Sequence, residues 1–382
     1  MTRKGWTRGT HRAVAPEETL RRIGPLLARF GITRAAEVTG LDELGIPVFC
    51  AIRPRGVLLQ VSNGKGLRPV DARVSALMEA IELAHAENPP PLRVARHPEI
   101  AREGEALTAR ELPWFRGDPA LAEHLRMHWV RGEALPSRAP VWLPACAAWS
   151  LEPTFVAWST NGLASGNTVD EATLHALLEV YERHTLSLLI DEAGDLDFAG
   201  MQCLDLGQAP GDGLAELRGR VEAAGLRVVL LRVAMESPLH SMMAVLLDPR
   251  AFATSSTVSF GSGAHVSPEV AASRAITEAA QSRLTFIHGS REDLAPRAYQ
   301  DPAHKQRLYD FFSGFTPDTP WTELADASTG EIEADLAAIL ATMADEGLGP
   351  FHRVIMSEPE LPIAVVKVLV GEAKIEFMQR VG

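Results

Sequence analysis

Six glutamates, Glu79, Glu82, Glu171, Glu179, Glu182 and Glu278, fall on three stretches whose apolar residues recur at helical spacing. Carboxylates that face one space repel one another unless a cation joins them. Magnesium suits such a set, because it takes hard oxygen ligands and reaches them through carboxylates, water and nucleotide phosphates together. The chemistry these residues point to is the binding of a magnesium-bound nucleotide. Lys65, Arg183 and Arg283 carry charge that could neutralise phosphate, and Asn167, at a helix start, could meet a phosphate or metal oxygen.

Three helices must position this set. Residues 166–184 open on Asn167 or Thr168 as a cap, place Asp170 and Glu171 in the first turn, and repeat Leu174, Leu177, Leu178 and Tyr181 at helical spacing. At about 100° per residue, Glu171, Glu179 and Glu182 share one quadrant beside that stripe. Of the cations only Arg183 lies close by, so for this helix alone a solvated acidic face stays open as the plain alternative. Residues 69–85 form a second helix with Pro69 in its first turn and Val70, Val74, Leu77, Met78 and Ile81 buried. Ser75, Glu79 and Glu82 line its edge, at a cleft or at the surface. Residues 267–284 form a third, started by Ser267 and Pro268, with an Ala-rich face that lets another backbone approach. Arg274, Glu278 and Gln281 share a face of it, as an i,i+4 ion pair or as part of a site, whereas Arg283 projects about half a turn away.

The remaining chain bounds the fold. With 382 residues, 46% hydrophobic and 23% charged, it is long enough for a large core and ordinary for a soluble globular protein. A net charge of -12 with scattered Lys and Arg argues against a nucleic-acid partner. Cys50, Cys146 and Cys203 are far apart and read as reduced, buried thiols. No apolar run is long enough for a membrane span, which predicts a cytoplasmic protein without a membrane partner. Residues 16–30 predict a helix, 45–54 and 56–62 two strands entering a Gly-Lys-Gly turn at Lys65, 214–224 a helix, and 226–234 and 244–247 strands. Residues 316–320 suggest a linker, followed by a helix at 331–344 and strands at 353–356 and 363–370, giving a mixed α/β (α+β) class. Residues 92–150 show no clean period, and Trp114, Trp129, Trp142 and Trp149 read as packing residues rather than a base-stacking platform. Walker, kinase, HExxH and Gly-x-Ser-x-Gly motifs are lacking.

The ordered set Gly45-Ile-Pro-Val, Ile52-Arg-Pro54, Gly64-Lys-Gly66, Ser75-x3-Glu79-x2-Glu82, Gly166-Asn167, Glu171, Glu179-x2-Glu182-Arg183 and Arg274-Ala-Ile-Thr-Glu278-x2-Gln281-x-Arg283, closing on Gly289-Ser-Arg-Glu-Asp293, resembles the YcaO family over most of the chain. The resemblance implies a YcaO-like fold with an ATP and magnesium cleft lined by Glu-bearing helices. It makes Glu79, Glu82, Glu171, Glu179, Glu182 and Glu278 magnesium ligands, and assigns Lys65, Ser75, Asn167, Arg183, Gln281 and Arg283 to ATP. It also implies a helical preface at residues 1–44, a nucleotide-binding core at 45–315 and a closing α/β segment at 316–382.

The reaction it implies is phosphorylation of a backbone amide oxygen in a ribosomally made precursor peptide or protein. A neighbouring Cys, Ser or Thr then gives an azoline, whereas external sulfide gives a thioamide. The chain ends Gln-Arg-Val-Gly382 without the Pro-rich tail of azoline-forming members, and Thr10-His-Arg, Gly31-Ile-Thr-Arg and Thr39-Gly-Leu-Asp42 look like the stand-alone members that work with a TfuA partner. Thioamide formation with a sulfur donor and a TfuA-like partner is therefore the leading expectation, and a homodimer stays open. Cyclodehydration is the alternative, and a non-catalytic ATP- or peptide-binding scaffold the alternative of another class. Leu83 stands where many members have Arg, His184 where Asp often follows Glu-Arg, and Gly371-Glu-Ala-Lys374 replaces the usual Pro-Gly-Leu-Glu.

Overall fold

The computed structural model describes the chain apart from residues 1, 114, 116, 152–157, 192–195, 199, 251–256, 292–301 and 376–382. Trp114, the end of the Gly289 motif and the C-terminal tail lie outside the described residues. Helix α1 (Pro16–Ile23) is followed by β1 (Arg34–Glu37), β2 (Val48–Ile52) and β3 (Val61–Lys65), an antiparallel sheet in that order. β3 runs into α2 (Pro69–Glu87), which packs on β2 and β3. Residues 93–144 supply β4 (Arg93–Ala95), α3 (His97–Ile100), α4 (Pro119–His124), β5 (Met127–Leu135) and β6 (Ala139–Pro144). Then come β7 (Leu163–Gly166) and α5 (Val169–Ser187).

The next segment holds β8 (Met201–Cys203), α6 (Asp212–Ala223), β9 (Arg227–Val233), β10 (His240–Leu247), β11 (Val258–His265) and α7 (Pro268–His288). Helices α8 (Pro302–Ser313) and α9 (Ile332–Asp345) and strands β12 (Phe351–Ile355) and β13 (Ala364–Val370) close the described chain. The second sheet runs β11-β10-β9-β8, and the third β4-β5-β12-β13-β7 with β6 on β5.

One local device recurs three times: an edge strand turns directly into a long helix that lies against a sheet. β3 leads to α2, β7 to α5 and β11 to α7, so the three Glu-bearing helices start from the edges of three different sheets. Close contact is made possible by glycine. A Cβ at Gly64 would fall 2.0 Å from the Ala76 amide nitrogen of α2, and one at Gly261 would fall 2.1 Å from that of Ala279 on α7. The small-residue face of α7 is what permits its approach to β11. Gly261→Ala must push helix and strand apart, so we expect a loss of about 1–3 kcal/mol in denaturant-measured stability, the range for overpacking a core. Stability equal to the parent would show that this spacing is not fixed.

The structure departs from the pattern-based expectations at several points. Residues 16–30 are not one helix, because α1 stops at Ile23 and a 3-10 turn at Gly24–Leu26 follows, where Pro25 lacks the N–H that would continue the ladder. Lys65 is no turn residue but the end of β3, paired with Val48. Residues 316–320 are tied down rather than a free linker: Asp318 N donates to Cys203 O at 2.9 Å, and Asp318 Oδ1 accepts from Cys203 N at 2.9 Å. The unreadable residues 92–150 supply strands β4, β5 and β6, with Trp129 and Trp149 each 1% exposed as core residues. All three cysteines are buried and none is in a disulfide, and no described helix is long and apolar enough to cross a membrane.

The N-terminal segment is bound to the far end of the sequence. Thr2 N donates to Glu333 Oε2 at 2.6 Å, Lys4 N donates to Gly330 O at 3.0 Å, and Lys4 Nζ pairs with Asp335 at 2.5 Å. This strap carries His11 and Arg12 toward α5 and α7.

Candidate active site

Thr168 provides the cap of α5, its hydroxyl accepting from Glu171 N at 3.1 Å, and the helix then presents Glu171, Glu179 and Glu182 as their spacing predicts. Glu182 is 6% exposed and accepts from the Ser262 hydroxyl of β11 at 2.6 Å. The same hydroxyl lies 3.3 Å from Glu278 Oε1 of α7. Lys65, at the end of β3, pairs with the other Glu278 oxygen. On α2, Glu82 accepts from Ser165 N at 2.8 Å and from Ser165 Oγ at 2.5 Å, which ties it to β7. Carboxylates of α5 and α7 are thus linked through Ser262, with Lys65 on Glu278, while Glu82 of α2 is held separately by Ser165.

Their electrostatics report crowding. Burial pushes Glu79 up to about 7, with Glu179 and Glu278 raising it further against Arg291 and Lys65. Glu82 is pushed up to about 8, by burial first and by Glu79 and Glu179, although the Ser165 bonds oppose this. Glu182 rises to about 7 through burial and its neighbour Glu278. For Glu278 burial acts upward too, but Lys65, Arg274 and Arg183 outweigh it and hold the group below the usual carboxylate range. Carboxylates that so disfavour one another's charge form a donor set that a hard dication relieves. Among the described residues, no three His, Cys, Asp or Glu side chains already surround one point as a metal would need.

The other sequence-predicted residues divide. Arg183 pairs with Glu179 at 2.6 Å, within reach of the set. Ser75 and Gln281 are half-buried on α2 and α7. Asn167 donates to Glu171 at 3.1 Å and accepts from Thr19 at 2.9 Å. Two residues are committed otherwise than expected. Glu171, 2% exposed, spends its oxygens on Asn167, on Ala13 N at 2.8 Å and on Arg12 at 3.9 Å. Arg283, the residue set half a turn off the shared face, points instead to Asp42 at 2.9 Å and Asp248 at 3.0 Å.

Some members of the site escape sequence reasoning. Arg12 reaches Glu171 from the strap, its charge disfavoured by burial and by Arg274 and favoured by Glu171 and Glu82. Arg274 is not the partner of Glu278 in a simple ion pair: its Nη1 lies 3.5 Å from His175 Nδ1, and among the described residues its buried Nε has no hydrogen-bond partner. Burial first, then Arg274, Arg12 and Lys65, hold His175 far below its ordinary value, so it is neutral near pH 7. Lys65, Arg12, Arg183 and Arg274 therefore make a cationic rim around the acids, suited to a polyanion. Where Asp often follows Glu-Arg, His184 accepts from Lys374 N at 3.1 Å and anchors the chain beyond β13. Leu83 is simply buried, 2% exposed.

The sequence model described as YcaO cyclodehydratase, ATP- and Mg2+-binding, matches residues 63–374. The chain belongs to the YcaO family. It is thereby an ATP-dependent peptide-modifying enzyme of that family. An uncharacterised protein of Mycobacterium tuberculosis is 36% identical over 377 residues, covering 94% of this chain and 82% of its own length. A Rhizobium leguminosarum protein described as lying in the tfuA 3' region is 33% identical over 389 residues, covering 96% and 89%. Among solved structures, YcaO from Methanopyrus kandleri bound with AMPPCP and Mg2+ superimposes with a TM-score of 0.78 at 28% identity, over 99% of this chain and 96% of that one.

Proposed function

We propose that this YcaO protein uses ATP and magnesium to phosphorylate a backbone amide oxygen of a ribosomally made peptide or protein, and that sulfide then displaces phosphate to leave a thioamide. The observation that carries the reading is the Ser262 link between Glu182 of α5 and Glu278 of α7, with Glu79 of α2 near enough to Glu278, and Glu82 near enough to Glu79 and Glu179, for like charge to disfavour ionisation, beside the cations Lys65, Arg183, Arg274 and Arg12. Bound ATP supplies the phosphoryl group and bound magnesium neutralises its charge. Glu79, Glu82, Glu179, Glu182 and Glu278 would hold the metal. Lys65, Arg12, Arg183 and Arg274 would meet phosphate oxygens, with Ser75, Asn167 and Gln281 as uncharged contacts, while Glu171 orients Asn167 and Arg12. Phosphorylation forms the amide oxygen–phosphorus bond as the γ-phosphorus–oxygen bond to ADP breaks; hydrosulfide then forms the carbon–sulfur bond and gives up its proton, and the carbon–oxygen bond breaks to release phosphate, so the thioamide nitrogen keeps its hydrogen.

Support for sulfide as the nucleophile, and for a TfuA-like partner, comes from the relative beside tfuA. The family description as cyclodehydratase favours a second reading, in which a substrate Cys, Ser or Thr closes an azoline. Mass spectrometry separates them. With ATP, magnesium, sulfide, precursor peptide and partner protein, we expect a gain of about 16 Da as sulfur replaces oxygen, whereas a loss of about 18 Da marks ring closure with release of water. ATP consumption that no peptide stimulates, with unchanged peptide mass, would overturn both.

A further inference from the structure

Strand β13 reads Ala-Val-Val-Lys-Val-Leu-Val, and its single charged residue, Lys367, is 1% exposed in the interior of the third sheet. An ammonium placed there costs several kcal/mol unless it is compensated. Among the described residues no carboxylate lies within ion-pair distance of it. Its Nζ donates instead to two backbone carbonyls of the turn that starts β7, Ser159 O at 2.6 Å and Asn161 O at 2.7 Å, with the Trp158 ring centroid 5.8 Å away. The turn's own side chain does not share that task. The Asn161 carboxamide is buried, and among the described residues neither its oxygen nor its nitrogen is paired.

The register shows what the turn controls. Lys367 stands opposite Leu163 and Val365 opposite Ser165, so Lys367 and Ser165 project from the same face of adjacent strands. Ser165 donates through both N and Oγ to Glu82. We propose that Lys367 is a positioning residue: by clamping the Ser159–Asn161 carbonyls it fixes the β7 edge and, through Ser165, sets the orientation of Glu82. Burial, more than the opposing pull of Glu179, lowers Lys367 to about 7, which marks it as a residue kept against its own stability. A polar support of this kind, one shell behind a metal ligand, fixes the geometry of that ligand. The inference rests on the reading of Glu82 as a magnesium ligand.

The test is a double-mutant cycle on the full chain, using AMPPCP binding titrated with magnesium and followed by calorimetry. Lys367→Met and Ser165→Ala are each expected to raise the magnesium concentration for half-saturation about tenfold, within the range for removing an outer-shell support. The double variant should be no worse than either single one, because both break one chain of contacts. Effects that multiply to about a hundredfold, or a Lys367→Met protein with the parental magnesium requirement, overturn the proposal. If Lys367→Met does not fold, Lys367→Arg carries the same test: its guanidinium keeps donors for both carbonyls, so a folded variant should stay within about threefold of the parent. A tenfold rise in that folded variant would count against the clamp. Failure of the parent protein to bind AMPPCP with magnesium would instead sink the functional reading, which separates the two.

Discussion

Glu182→Gln is expected to lower ATP consumption at least about a hundredfold, a barrier increase of about 2.7 kcal/mol, while leaving the fold as stable as the parent or slightly more so. The reason is the single Ser262 hydroxyl set between Glu182 and Glu278. One hydroxyl proton cannot satisfy two carboxylates, and Lys65 with its neighbours already holds Glu278 ionised. Glu182 therefore carries the strain, with its carboxyl pushed up to about 7 in a position that is 6% exposed. A glutamine keeps the shape and can still accept from Ser262, and its amide can donate toward Glu278. It removes the one thing a dication needs there, a second negative oxygen donor. Glu79→Gln should behave alike, since Glu79 is crowded by Glu179 and Glu278. Steady-state phosphate release with magnesium and peptide, alongside thermal unfolding, checks both variants. Parental turnover in a folded Glu182→Gln protein would remove the magnesium-carboxylate proposal.

How far the site could be read beforehand follows from the range of the interactions. Helices α2, α5 and α7 were legible because each carries a start signal and a 3.6-residue period, and these fix which face each glutamate takes. Arg283 shows the same rule at work. Its place half a turn from Glu278 is a property of the helix, and its partners Asp42 and Asp248 lie on that other side. Arg12 could not be found this way. It lies 159 residues before Glu171 and reaches it only because the strap is fastened at Glu333 and Asp335. Lys65 misled in a different manner: its flanking glycines suggested a turn, whereas Gly64 is there so that β3 can touch α2. Serines gave no signal, since nothing in sequence says that Ser165 and Ser262 are the residues that face Glu82 and Glu182. Strand β11 was also missed, because Gly261 and Gly263 dilute its alternation while serving the contact with α7.

In metal-free protein, the stability difference between Glu82→Gln and the parent should widen in favour of the variant as pH rises from about 5 to 8. The carboxyl titrates near 4.5 when unfolded and at about 8 in the fold. Below about pH 4.5 it is protonated in both states and contributes nothing. Between the two values the unfolded chain has released the proton that the folded chain retains, so each pH unit in that window withdraws up to about 1.4 kcal/mol from the parent. Above about pH 8 the penalty is complete. Glutamine has no proton to lose, yet its oxygen can accept from Ser165 N and Oγ as the carboxylate does, so the variant isolates the charge from the hydrogen bonds. Histidines lowered by burial, such as His11 at about 4, titrate alike in both proteins and cancel in the difference. Urea unfolding at pH 5, 6, 7 and 8 measures it, and a gain of at least about 1.4 kcal/mol for the variant is expected across the series. Magnesium with AMPPCP should reverse the order at pH 8, because ligation rewards the ionised carboxylate that the empty fold disfavours. Parallel curves for the two proteins, with or without the ligand, would mean that Glu82 faces neither crowding nor a cation.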